Sequence, residues 1–107
     1  MKTMKKVDGS GSVQHQYFHR ATETGEGIPV RVPNTGQPVL VVVSPAAGQT
    51  ARIEYTISDP THIAAGTALW LSWEEGEALV PTSSALSPGI SGVRVVGTGG
   101  TTWEATA

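Results

Sequence analysis

Cysteine is absent from the 107 residues. That removes disulfide staples and thiolate metal sites, and it fits a reducing compartment or a particle assembled in one. Long apolar runs are absent too. None approaches the roughly 20 residues that a membrane helix needs. The lysines near the start are followed by no apolar stretch, so a secretory signal is not expected. Charge is sparse at 15% of residues and nets to −2, which leaves no strong overall field for nucleic acid. Helix-period amphipathicity is missing throughout, and 13 glycines and 7 prolines supply turns instead.

What remains is the pattern of a single β domain. The clearest stretch is Ala51-Arg52-Ile53-Glu54-Tyr55-Thr56-Ile57, where apolar and polar residues alternate. Alternate side chains of a strand point to opposite faces, so this run predicts one buried and one wet face. Ala68-Leu69-Trp70-Leu71-Ser72-Trp73 is apolar on both faces and carries two of the three tryptophans. Val39–Val43 is a continuous valine-rich run, which predicts a strand covered on both sides. Further strands are expected at Val13–His19, Ile28–Val32 and Ile90–Val96, the last joined to Thr101–Thr106 by a tight Gly97-Thr98-Gly99-Gly100 hairpin. Pro29 belongs near a strand start or on an edge, because it cannot donate to a ladder. Pro33–Pro38 and Ser44–Gln49 read as turns. Ala21–Gly27 and Pro81–Pro88 read as loops, the second anchored by Leu86. His62–Gly66 has room for one helical turn. About seven or eight short strands at this spacing predict an all-β fold, an antiparallel sandwich, jelly roll or small barrel.

Met1–Ser12 stands apart from the domain, 13–107. It holds Lys2, Lys5 and Lys6 against Asp8 and ends in Gly/Ser, the composition of a flexible basic arm. The other ninety-five residues hold four arginines against eight acids.

Several constellations bear on chemistry. Asp8-Gly9-Ser10-Gly11-Ser12 has the D-x-S-x-S spacing of an oxygen-ligand cation site, but no parallel strand precedes it, and a linker is the plainer reading. His15 and His19 share a face, yet on a strand they lie roughly 13 Å apart, too far for one metal ion. His62 is remote from both. Asp59, Glu74, Glu75 and Glu77 supply carboxylates, but acids crowded at a Gly turn read as a solvated hairpin tip, and glycoside chemistry requires two that face each other. The serines lack a nucleophile elbow, and Gly97–Gly100 lacks the lysine and helix of a phosphate loop. Four dispersed arginines make no basic stripe. The sequence therefore predicts no enzyme, no cofactor and no metal site.

The tryptophans are the remaining signal. Trp70 and Trp73 differ by an odd number, so an unbroken strand would turn one to the core and the other outward. Tryptophan is favoured at protein contacts. Trp70 and Trp73 are accordingly candidate interface residues, together with part of Val39–Val43 and the arm lysines Lys2, Lys5 and Lys6.

The segment Leu86-Ser87-Pro88-Gly89-Ile90-Ser91-Gly92-Val93-Arg94-Val95-Val96, the Gly/Thr turn and Thr102-Trp103-Glu104-Ala105, preceded by Gly66-Thr67-Ala68-Leu69-Trp70 and the acidic turn, resembles small all-β accessory proteins of tailed-bacteriophage virions. These include capsid decoration (cement) proteins and head-fibre or neck components. The resemblance spans about Val30–Ala107 and carries no catalytic or ligand motif. It implies a structural protein on the capsid exterior, assembled in the host cytoplasm. Its expected partners are the major capsid protein and copies of itself, in a homo-oligomer such as a trimer, without direct contact to nucleic acid or membrane. The alternative expectation is a carbohydrate- or receptor-binding β module, which would need two exposed, coplanar aromatics.

Overall fold

The computed structural model describes residues 17–33 and 35–107. The proposed arm, with Lys2, Lys5, Lys6 and the Asp8–Ser12 segment, lies outside them, as do Val13 and His15. Seven described strands form one antiparallel sheet curled into a half-barrel, so the all-β antiparallel expectation holds. The strands are β1 (Phe18–Glu26), β2 (Val30–Arg31), β3 (Val39–Pro45), β4 (Ala51–Thr56), β5 (Leu71–Ser72), β6 (Thr82–Leu86) and β7 (Gly92–Thr106), with a short helix α1 (Pro60–Ala65) between β4 and β5.

Everything hangs on β7. Its first half pairs with β4 on one edge and β2 on the other, and its second half pairs with β3 and β1. Successive strands thus share an edge: β3 then β4 run along one side of β7, and β1 then β2 along the other. β6 lies outside β3, and β5 outside β4.

The expected hairpin at Gly97–Gly100 is not formed. These residues sit inside β7, and none of the three glycines takes the left-handed backbone that a two-residue hairpin requires. Close approach explains Gly97 and Gly99 instead, while Gly100 has open space beside its Cα. The β3–β4 connection crosses over this stretch: Thr98 N–H donates to Thr50 O (2.9 Å) and Ala46 N–H to Gly100 O (2.9 Å). A Cβ on Gly97 would lie 2.9 Å from Thr101 Oγ1 and 3.1 Å from Thr50 O, and one on Gly99 would lie 2.7 Å from the Gln49 side chain. Here β7 exchanges β4 for β3 along one edge, and opposite Gly25 the β1 register shifts. Corners of curled sheets form at such irregularities.

One parity of β7 faces inward throughout. Val93, Val95, Trp103 and Ala105 are buried with Val41 and Val43 of β3, Ile53 of β4, and Trp73 and Leu86. Leu86 is the expected anchor, but its segment is strand β6 rather than a loop. The loop expected at Ala21–Gly27 is the body of β1, held by its ladder to β7 despite its polar sequence. The valine run is covered on one face only: Val39, Val41 and Val43 are buried, while Leu40 is exposed and Val42 half-buried. The strand expected at Ala68–Trp73 shrinks to Leu71–Ser72.

The expected helical turn is α1. Asp59 caps it by accepting from Thr61 N–H (2.7 Å), Pro60 occupies its first turn, and Gly66 closes it in the left-handed region.

Candidate interaction surfaces

The face of β4 expected to be wet carries an ionic network. Glu54 on β4 stands opposite Arg94 on β7. Arg94 Nε and Nη2 donate to Glu54 Oε1 at 2.9 and 2.7 Å, and Nη1 donates to Glu26 at 3.2 Å. Arg52 reaches the other Glu54 oxygen at 2.8 Å and Glu77 at 2.7 Å. Burial by itself would raise the Glu54 carboxyl. The hydrogen bonds and charges of Arg94 and Arg52 outweigh it and hold the group below the usual carboxylate range. The Arg94 guanidinium also lies 4.4 Å from the centre of the Trp70 ring, a cation–π contact. Every charge in this cluster has a partner, so its role is to bind β4, β7 and the acidic turn together.

The inner wall near the β1 end is polar. Trp103 Nε1 donates to Glu23 Oε2 and Ile28 N–H to Glu23 Oε1, each at 2.7 Å. The His19 ring packs 5.0 Å from Trp103 at 53°. His19 Nε2, Tyr17 Oη and Thr101 Oγ1 are buried without a hydrogen-bond partner, and burial pushes the Tyr17 hydroxyl pKa up. This side pocket of the core was not legible in the sequence, because it depends on a register that pairs Ala21 with Trp103.

The outer face of β1, β7, β3 and β6 is a broad open surface. Its rows follow from the registers: Phe18, Thr106, Leu40 and Ala85 lie abreast, then Arg20, Glu104, Val42 and Ser83, then Thr22, Thr102 and Ser44. Arg20 pairs with Glu104 at 2.6 Å, and the Thr22 and Thr102 hydroxyls meet at 2.9 Å. A shallow depression of about 360 Å³ runs between β3, β6 and β7 over Leu40 and Val42, rimmed by Ser83 and Glu104. Phe18 is 70% exposed and Leu40 42%. A second apolar group crowns the far end of the sheet, with Ile57, Leu69 and Leu71 all exposed and Leu71 opposite Tyr55.

The chain matches no protein-family model, no curated protein and no solved structure.

The candidate site residues separate accordingly. Trp73 is buried at 3% exposure and donates its indole N–H to Gly76 O at 2.7 Å. It belongs to the core and leaves the candidate surface, because its ring points inward where the chain turns beside Ile53. Trp70 is half-buried under Arg94, and Trp103 is fully buried. The flat pair of exposed tryptophans that a sugar platform needs is therefore not formed. Glu74 and Glu75 are exposed at the acidic turn, Glu77 is tied to Arg52, and Asp59 caps α1. His62 meets the Thr67 hydroxyl at 2.9 Å. Among the described residues no group of three histidines or acids is placed to hold a metal ion. Leu40 and Val42 of this surface lie in the Val39–Val43 run that the sequence offers as a candidate contact. Phe18 and Arg20 were missed as members of it, since nothing in the sequence set β1 beside β7.

Proposed function

We propose that this chain is a structural, protein-binding β module, and that it serves as a capsid decoration protein docking on a virion shell through the outer face of β1, β7, β3 and β6. The observation that supports this reading is the exposed apolar row Phe18, Leu40 and Ala85, with Val42 beside it, on a face held rigid by four hydrogen-bonded strands. Burying an exposed leucine or valine side chain on a partner is worth roughly 1.5–3 kcal/mol. A few such anchors on a pre-ordered sheet bind without the cost of ordering a loop. Copies held in a lattice also gain avidity from one another. The virion assignment comes from the resemblance of the Leu86–Ala105 segment, and the rigid apolar face supplies the contact that such a role needs.

The test is co-sedimentation with heads of the parent virus prepared without this chain. Wild type should pellet with the heads. Leu40→Asp and Val42→Lys, which alter outward-facing positions and set no like charge opposite Glu104, should stay in the supernatant while keeping the wild-type circular dichroism. Equal pelleting of all three proteins would remove this face from the docking mechanism, and failure of wild type to pellet would remove the capsid.

A further inference from the structure

An open sheet must do something with its edges, since unpaired N–H and C=O groups are a template for another strand. The other described edges are blunted. β5 has two residues, β2 is flanked by Pro29 and Pro33, and β6 lies between Pro81 and Pro88. β1 is different. It runs nine residues without proline or lysine, and its irregularity comes only at Gly25, near its end. Its inward charge, Glu23, is already held by Trp103 and Ile28, so it does not guard the edge.

The ladder determines which groups are free. Tyr17 and Ala107 exchange both hydrogen bonds, each at 3.0 Å. Antiparallel bonding alternates along a strand, so His19, Ala21 and Glu23 turn their amides to β7, while Arg20, Thr22 and Thr24 turn theirs outward. Among the described residues no strand lies beyond them.

We propose that a second copy of this chain pairs with this edge, β1 against β1, antiparallel about a two-fold axis at Thr22. In that register Thr22 faces Thr22, Arg20 faces Thr24, and the outward amide–carbonyl pairs of Arg20, Thr22 and Thr24 are used on both copies. Arg20, paired with Glu104 in its own chain, is brought to the end of the partner's strand that carries Glu26, itself paired with Arg94, so opposite rather than like charges come together at both ends of the seam, twice by symmetry. Moving the axis to Glu23 would instead set two carboxylates side by side and is disfavoured. The inference does not rest on the virion reading: loss of this dimer would leave head binding through Leu40 and Val42 as a separate result.

The experiment is sedimentation equilibrium of the full chain over a wide concentration range, with amide hydrogen exchange on the same samples. Wild type should reach twice its 11.1 kDa chain mass, with the Arg20, Thr22 and Thr24 amides protected. Thr22→Lys sets two like charges at the axis, and Thr22→Pro removes an outward donor without removing a bond to β7. Both variants should sediment as monomers and lose protection at Arg20 and Thr24, while His19, Ala21 and Glu23 stay protected. Retained protection at those three shows that the fold survives. A wild type that is monomeric throughout would overturn the proposal, as would a dimer that persists in Thr22→Lys or leaves the outward amides exchanging freely.

Discussion

Replacing Glu54 by glutamine tests whether the ionic network clamps the sheet. The change keeps the side-chain volume but removes the charge that two arginines share. Glu54 and Arg94 side chains are 10% and 17% exposed, and Arg52 is 31% exposed. Breaking a buried pair costs about 3–5 kcal/mol, and breaking an exposed one about 0–1 kcal/mol. Arg94 keeps Glu26 and Arg52 keeps Glu77, so the loss falls between these limits, at about 2 kcal/mol. For a domain of this size that lowers the melting midpoint by roughly 8–16 °C. A pH series sharpens the test. The folded-state pKa of Glu54 is depressed, so its contribution is fully present above the unfolded value of about 4.3 and fades as pH falls through the folded one. Urea titrations of wild type should show stability dropping on that acid limb, and Glu54→Gln should flatten it. Glu104→Gln, which breaks the exposed Arg20 pair, serves as the control and should cost no more than about 0.5 kcal/mol. A cost for Glu54→Gln as small as the control's, or an unchanged acid limb, would refute the clamp.

Two further outcomes are expected. Trp103→Phe removes the indole donor to Glu23 and leaves a void where Trp103 is fully buried, so it should destabilise by about 3 kcal/mol in urea titration. A loss below about 1 kcal/mol would refute both contributions. Asp59→Ala removes the cap of α1, whose carboxyl the backbone and hydroxyl of Thr61 hold below its usual range. Since α1 buries no residue, amide exchange should accelerate over residues 61–66 while the global midpoint stays put, and a midpoint shift would show that the helix is coupled to the sheet.

The legible parts of this fold were those whose pattern is local. Ala51–Thr56 and Val39–Val43 announce strands by alternation and by β-branched content, and His62–Gly66 leaves room for one helical turn. The illegible parts were decided by distant partners. Ala21–Gly27 is too polar to read as a strand, and the ladder to β7 makes most of it the body of β1. Gly97–Gly100 has turn composition, yet at Gly97 and Gly99 the adjoining β3–β4 connection needs glycine for space rather than for a bend in the chain. Arg94 and Glu54 meet only because β4 and β7 pair in one register. The outer face of β1, β7, β3 and β6 was half visible for the same reason: Leu40 and Val42 lie in a readable run, while Arg20 joins that face only through the pairing of β1 with β7.

The central place of β7 also sets an order of events in folding. Glu23 and Trp103 are 80 residues apart, and β1, β2, β3 and β4 all take their main pairing from Gly92–Thr106. During synthesis β1 to β6 emerge with their principal template still unmade. Closing loops of that span is entropically costly, so folding should be slow for a domain of this size. It should begin only once the last strand has left the ribosome. A chain cut before Gly92 and then mixed with a peptide of the β7 sequence would place that step under the experimenter's control.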